Sequence, residues 1–194
     1  MIEEFKDKHL DEIVSIHLKT FPGDFQAVLG HKFLKIIYRN FINSDLGFGY
    51  IFSTRDIIKG FVVASFDKST LFKKTLFRNF HYIMLILLWQ TIRNPIRIFL
   101  RIFLPFGRYC FRSEKKTCVP IKEELVTIAV RKEFQRQGIG KLLVQAVANR
   151  FNNHGVSRFK VITPEKDEKS NKFYKQFNHQ MKRIPRLNVY MLNF

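Results

Sequence analysis

The chain has 194 residues, of which 46% are hydrophobic and 22 are Phe, so it can bury a sizeable core and is not a disordered protein. Its formal net charge is +18, and the segment from Lys68 to Lys122 holds twelve Lys and Arg residues against one acid, Glu114. Because the positive charge is concentrated in one segment, we expect an anionic partner.

Cysteine and histidine usage excludes two common classes. Cys110 and Cys118 lack C-x-x-C spacing, and the six His residues are scattered, so we expect neither a disulfide framework nor a metal site. The first twelve residues are acidic and contain no apolar signal-peptide core. These features favour a cytoplasmic protein.

The first third of the chain predicts two helices and a β-hairpin. Apolar spacing favours an amphipathic helix over residues 7–20 and a second over residues 30–41. Residues 48–53 and 57–66 are typical of two strands joined by a short turn at residues 54–56. Gly60, inside the second strand, indicates a bulge or a close approach of another backbone.

Residues 68–121 predict a helical hairpin inserted between two strands. A first helix is expected over residues 71–92, and a second begins at Asn94, with Pro95 in its first turn, and ends at Pro105. Arg93, Arg97 and Arg101 repeat every four residues on one face of this hairpin. The longest uninterrupted apolar run, residues 82–89, is too short to cross a membrane.

Residues 124–147 predict a strand, a glycine-bearing loop and a helix. The strand is rich in β-branched residues, and the helix carries apolar residues at spacings typical of one buried face. Unpaired N–H groups and the dipole at a helix N-terminus favour bound anions. Gly138 and Gly140 leave room for a phosphate, so we predict a pyrophosphate site.

The last fifty residues predict two further strands around a helix. Residues 158–163 and 187–192 alternate as strands do, and the latter should close the sheet. Between them, a helix is expected over residues 167–177, with Asp167 as its N-cap.

Two of these motifs resemble the GCN5-related N-acetyltransferase (GNAT) superfamily. The run Gln135-x-x-Gly138-x-Gly140, between a strand and a helix, is similar to its acetyl-CoA loop, Gln/Arg-x-x-Gly-x-Gly/Ala. The later helix is similar to a second family element, with Asp167 in place of the usual Asn, Ser170 in place of Ala, and a matching Tyr174. The resemblance covers nearly all of the chain except the insertion.

The resemblance implies a single α/β (α+β) domain over residues 1–194, interrupted by the inserted hairpin of residues 68–121. Its sheet would be mixed and mainly antiparallel, with the fourth and fifth strands splayed apart and helices on both sides. The implied activity is acetyl transfer from acetyl-CoA to a primary amine, with no metal.

The resemblance also implies roles for individual residues. Tyr174 would be the general acid that protonates the departing CoA sulfur. Glu124, eleven residues before Gln135, would be the general base, with an ordered water as the alternative. The residues that would bind acetyl-CoA are Ile128, Ala129, Val130, Gln135, Arg136, Gln137, Gly138, Ile139, Gly140, Lys141, Asp167 and Ser170.

The acceptor and the partners stay open. The basic segment favours an anionic small-molecule amine, such as a nucleotide-linked or lipid-linked amino sugar, and a protein or peptide amine is the alternative. A membrane-surface or nucleic-acid-binding protein that retains a CoA fold is a third hypothesis, although the arginines lack the aromatic pattern of nucleic-acid binding. The hairpin, residues 71–111, could lie on a membrane, line the acceptor cleft or be purely structural, and a homodimer is not excluded.

Overall fold

The computed structural model describes residues 1–93 and 119–194, which form one seven-stranded sheet with helices on both faces. The strand order is β1-β2-β3-β4-β5-β7-β6, and all neighbouring pairs are antiparallel except β4 and β5. The strands are β1 Ile2–Glu4, β2 Gly47–Thr54, β3 Ile57–Ser65, β4 Glu124–Val130, β5 Arg158–Pro164, β6 His179–Ile184 and β7 Leu187–Asn193.

Seven α-helices and two 3-10 turns are described. The 3-10 turns are Asp7–His9 and Lys132–Phe134. The α-helices are α1 Leu10–Thr20, α2 Phe25–Val28, α3 Gly30–Ile42, α4 Lys68–Arg78, α5 Phe80–Arg93, α6 Ile139–Asn152 and α7 Glu168–Tyr174. Within the described ranges, none of these helices is long and apolar enough to cross a membrane.

The predicted single helix over residues 71–92 is wrong, because the chain breaks between α4 and α5. Asn79 ends α4 with φ −110° and ψ 18°, which lie outside the helical region. Its side-chain Nδ2 donates at 2.9 Å to the Thr75 carbonyl, which the Asn79 N–H also bonds at 3.1 Å. The second helix predicted from Asn94 lies outside the described residues. Three further elements were not predicted from the sequence: β1, α2 and the edge strand β6. β1 and α2 are only three and four residues long, and β6 has four exposed residues and no apolar alternation.

The sheet separates two cores. The first core packs α1 and α3 against one face, around Tyr38, Phe41 and Phe61. The second core packs α6 and α7 against the other face, around Phe151 and Tyr190. This division follows from the alternation of strand side chains between the two faces.

The β2–β3 hairpin has a tight turn and a bulge. Arg55 and Asp56 adopt positive φ angles of 50° and 62°, which match a two-residue turn between twisted strands. Phe52 pairs with Gly60 but Ser53 pairs with Ile58, so Lys59 is the extra residue of a bulge. A Cβ on Gly60 would lie 2.8 Å from the carbonyl oxygen of Ala129. Both alternatives predicted for Gly60 are therefore present.

The fourth and fifth strands diverge, as predicted. They pair in parallel only at Glu124 with Lys160 and at Leu125 with Val161, within the sheet that the structure describes. Beyond Leu125 the edge of β4 that faces β5 is open. This cleft between β4 and β5 is the main feature that positions the candidate site.

Candidate functional site

The open edge of β4 presents backbone amides to the cleft. The N–H of Arg131 donates to the Lys59 carbonyl on β3 at 2.8 Å, which fixes the direction of alternate amides along the strand. Ala129 therefore faces β3, while Ile128 and Val130 direct their N–H and C=O groups away from β3. Of the three predicted strand contacts, Ile128 and Val130 are placed to bind a ligand by their backbone.

A bulge in β4 sets this direction. Thr127 pairs with Val63 and Leu125 pairs with Ala64, so Val126 is the extra residue. Val126 packs against the first core, and Thr127 interacts with Tyr38 in that same core, so two consecutive side chains share one face. The bulge changes the direction of β4 at the point where β4 and β5 separate.

The loop after β4 ends at an exposed helix N-terminus. Arg136 and Gly138 adopt positive φ angles of 62° and 78°, and the first helical hydrogen bond runs from the Leu142 N–H to the Gly138 carbonyl at 3.1 Å. The N–H groups of Ile139, Gly140 and Lys141 therefore have no partner within the helix. A Cβ on Gly138 would meet nothing within 4 Å. The predicted anion site is open and lined by backbone donors.

Gly140 has a packing role that the sequence analysis did not predict. A Cβ at this position would lie 3.2 Å from two ring atoms of Phe173. The missing side chain therefore lets α6 approach α7 closely. Gly138, rather than Gly140, is the glycine that borders open space.

Charged and polar side chains surround the loop. Gln135 donates from Nε2 to the Val130 carbonyl at 3.0 Å, which ties the loop to the open edge of β4. Lys132, Arg136 and Lys141 are exposed around the helix N-terminus, and Gln137 is exposed beside them. Cations around an N-terminal dipole suit a polyanionic ligand.

Tyr174, at the end of α7, is buried in the second core. Its ring lies 5.1 Å from that of Phe173 and 5.8 Å from that of Tyr190. Burial, and to a lesser extent the charge of Asp167, raises the pKa of Tyr174, so the hydroxyl keeps its proton. The neutral phenol can act as a proton donor, but its raised pKa makes it a weak acid.

Asp167 and Ser170 are engaged with each other at the start of α7. The Asp167 carboxylate accepts from the Ser170 N–H at 3.1 Å and from the Ser170 hydroxyl at 2.6 Å. The predicted N-cap is therefore confirmed. Any contact from these two side chains to a cofactor would compete with this cap.

A family model described as "Acetyltransferase (GNAT) family" matches residues 107–179. Solved structures share the fold along almost the whole chain. The PaiA N-acetyltransferase of Thermoplasma acidophilum, in complex with coenzyme A, is 9% identical with a TM-score of 0.63 over 100% of this chain and 98% of that one. An acetyltransferase of Thermus thermophilus is 11% identical with a TM-score of 0.60, covering 100% and 97%. Ard1 of Thermoplasma volcanium is 14% identical with a TM-score of 0.57, covering 99% and 94%.

No curated protein matches the chain by sequence. At such low identities the solved structures establish only the fold. The family model matches by sequence, and the residues that it matches include the loop before α6 and helices α6 and α7. The resemblance to the GNAT superfamily is confirmed. The GNAT sheet, its splayed strands and the flanking helices are as predicted.

Glu124 lies at the closed end of the cleft between β4 and β5. Its residue is 5% exposed, and its Oε1 accepts from the Lys68 Nζ at 2.6 Å, while Oε2 lies 3.9 Å from the Lys160 Nζ. Both carboxylate oxygens are therefore occupied by lysines. This arrangement indicates that Glu124 forms ion pairs that join α4, β4 and β5. It is less typical of a carboxylate that is free to accept a proton.

Asn171, which was not predicted from the sequence, holds α7 in place. Its Oδ1 accepts from the Thr163 hydroxyl, the Asn188 amide and the Tyr190 hydroxyl at 2.7–2.9 Å. Its Nδ2 donates to three backbone carbonyls, of Pro164, Glu165 and Asp167. A single polar residue in an amphipathic helix gives no sequence signal for such a network, which fixes Tyr174 one turn later.

A second buried polar group joins α1 to β4. His17 Nδ1 lies 2.6 Å from the Tyr38 hydroxyl, which also interacts with Thr127 on β4. Burial lowers the pKa of His17 to about 4, so the imidazole is neutral at pH 7. Within the described residues, Nε2 of His17 is buried and has no hydrogen-bond partner, and no group of three or more His, Cys, Asp or Glu could hold a metal ion.

Proposed function

We propose that this protein is an acetyl-CoA-dependent N-acetyltransferase that acts on a primary amine. The observation that carries the proposal is the series of backbone groups left unpaired along the open edge of β4 and at the N-terminus of α6. Ile128 and Val130 offer backbone groups of the kind that a neighbouring strand would use, and the pantetheine arm of CoA has amides that can pair with them. The N-terminus of α6, which a short loop connects to β4, offers further N–H donors.

The anion site fits the diphosphate of CoA. Gly138 borders open space, three amides of the first helical turn are unpaired within α6, and exposed cations surround them. The solved PaiA N-acetyltransferase, whose fold this chain shares, is a complex with coenzyme A. Acetyl-CoA, when bound, would supply an activated acetyl group as a thioester.

The chain's own residues would then act on three problems of acetyl transfer. The Ile128 and Val130 amides would orient the thioester and stabilise negative charge that develops on its carbonyl oxygen. Tyr174 would donate a proton to the departing thiolate, since burial keeps its hydroxyl neutral, and its phenolate would regain a proton from the water that takes up the amine proton. Asn171 would hold α7 so that this hydroxyl stays in place.

Removal of the amine proton is assigned to water rather than to Glu124. Glu124 is the acid on β4, but its two oxygens face Lys68 and Lys160, so a proton would have to displace an ion pair. Its proposed role is therefore to fix the closed end of the cleft, and the role of general base is retained only as the alternative. Ile128 and Val130, beyond the paired end of β4, are half-buried, so water can reach an acceptor amine in the cleft.

An anionic acceptor is favoured by the net charge of +18, because a strongly basic protein attracts anionic substrates and raises their encounter rate. An amino sugar linked to a nucleotide or to a lipid diphosphate has both the amine and the negative charge. A peptide or protein amine is the alternative acceptor.

The test is a turnover screen with acetyl-CoA over nucleotide-linked amino sugars, polyamines and peptides. Release of free CoA thiol gives the rate, and mass spectrometry identifies the acetylated amine. We expect turnover with at least one amine and the lowest KM with an anionic one. Binding of CoA without turnover of any amine would leave a CoA-binding protein and overturn the enzymatic proposal.

A further inference from the structure

Helices α4 and α5 carry apolar residues on the side that faces solvent. Helix α5 places Ile83, Ile86 and Leu87 toward the first core, yet most of its opposite side is apolar as well. We name the exposed apolar residues of α4 and α5 together the outer apolar face. Its residues are 36–88% exposed and are Leu76, Phe77, Phe80, Tyr82, Met84, Leu85, Leu88, Trp89 and Ile92.

A surface helix of a water-soluble domain normally has polar residues opposite its core-facing stripe. On α5, His81 is the one polar residue among the exposed side chains that the structure describes. A patch of nine large apolar residues also exceeds the scattered exposed apolar residues that need no explanation. Exposed apolar surfaces of this kind mark sites that contact a partner or a membrane.

A basic groove borders the outer apolar face. The groove has a volume of about 660 Å³, runs between α3 and the α4–α5 junction, and includes Tyr82, which also belongs to the outer apolar face. Among the described residues that line it, none is acidic, and the cations are Lys32, Lys35, Arg39, Arg78 and His81 when protonated.

Part of this positive charge is uncompensated. Lys35 pairs with Asp11 at 2.7 Å and Arg39 pairs with Asp7 at 3.1 Å. For Lys32 and Arg78 the described residues provide no ion pair. Lys73 and Lys74 are also exposed on α4, within one turn of Phe77.

We propose that the outer apolar face and the basic groove dock the protein on an anionic lipid bilayer. An apolar helix face inserts at the boundary of headgroups and acyl chains, and adjacent basic residues contact anionic headgroups. Aromatic residues such as Tyr82 and Trp89 are typical of that boundary. A second copy of this chain fits less well, because its net charge is also +18 and its groove carries the same sign.

The test is flotation of the full-length chain with vesicles, which requires neither acetyl-CoA nor an acceptor. We expect the protein to float with vesicles that contain phosphatidylglycerol, to stay unbound with pure phosphatidylcholine, and to dissociate at high salt. A failure here leaves the proposed acetyltransferase activity untouched, and the converse also holds.

Paired variants separate the contributions of charge and of the outer apolar face. K32Q with R78Q should weaken partitioning about thirtyfold, since each basic residue near an anionic surface is worth about 1 kcal/mol. The matched control, K19Q with R55Q, removes two exposed charges that lie outside the groove and should have less than a fivefold effect. F77S with L88S should abolish flotation, while I57S with M181S, exposed apolar residues on strands, should not.

Three outcomes would overturn the proposal. No flotation of the wild type with anionic vesicles would do so directly. Dimerisation in sedimentation experiments, lost in the F77S/L88S variant and without flotation, would assign the outer apolar face to a second copy. A monomer that does not float, and whose F77S/L88S variant unfolds at a lower temperature, would show that the chain itself covers this face.

Discussion

Gly138→Ala provides the sharpest test of the CoA site, because the structure supplies a matched control at Gly155. Both glycines have a positive φ, 78° and 73°, and at both an added Cβ would meet nothing within 4 Å. Gly138 precedes α6 at the anion site, whereas Gly155 follows the C-terminal end of the same helix. The two substitutions therefore introduce similar backbone strain at opposite ends of α6, and only Gly138 is beside the proposed ligand.

The expected loss of stability is the same for both variants. A side chain in the left-handed region costs about 1–2 kcal/mol. In a chain of this length, 1 kcal/mol lowers the melting temperature by about 2–4 °C. We expect both variants to unfold a few degrees below the wild type in the absence of ligand, as measured by calorimetry.

The expected loss of affinity differs between them. A methyl group on Gly138 would occupy the space where a phosphate approaches the amides of residues 139–141, and one hydrogen bond to a charged group is worth about 1.5–3 kcal/mol. Titration calorimetry with CoA should therefore show affinity reduced about tenfold to a hundredfold in Gly138→Ala, since 1.4 kcal/mol is tenfold. Gly155→Ala should bind CoA as the wild type does.

A second measurement guards against misfolding as an explanation. Saturating CoA should raise the melting temperature of the wild type and of Gly155→Ala equally, because ligand that binds only the folded state stabilises it. The increase should be smaller for Gly138→Ala. Equal CoA affinities in the two alanine variants would refute the assignment of the α6 N-terminus as the diphosphate site.

Three further predictions concern the acid, the carboxylate and the buried histidine. Tyr174→Phe should lower turnover about a hundredfold without changing CoA affinity, and unchanged turnover with chemistry rate-limiting would make this tyrosine structural. Glu124→Gln should lower the free energy of unfolding by about 1–3 kcal/mol in urea titrations, because Lys160 loses its charged partner and keeps only the Ile121 carbonyl. Unchanged stability together with loss of the acidic limb in the pH–rate profile would restore Glu124 as the base. Folding lowers the pKa of His17 from 6.5 to about 4, so the unfolded chain takes up a proton at a higher pH than the folded chain does. The free energy of unfolding should therefore decrease by roughly 3 kcal/mol between pH 6.5 and pH 4. His17→Gln should flatten that pH dependence in urea titrations and His154→Gln, an exposed control, should not; identical slopes in both would contradict the prediction.

The sequence by itself determined the elements whose signals are local. Apolar periodicity predicted α1 and α3, two runs joined by a short turn predicted the β2–β3 hairpin, and β-branched residues predicted β4. The glycine loop predicted the start of α6. The N-cap at Asp167 was also readable, because a cap depends on residues three positions apart. Helix and turn chemistry of this kind acts over a few residues, so a single sequence carries it.

Tertiary structure decided the rest, because those features depend on contacts between residues far apart in the chain. Glu124 changed from a candidate base to an ion-paired carboxylate only when Lys68 and Lys160 came within reach. Gly140 changed from a phosphate contact to a packing position only when Phe173 was placed against it. The polar networks of Asn171 and His17, and the exposed side of α5, likewise follow from how helices and strands meet, which residue spacing along the chain does not encode.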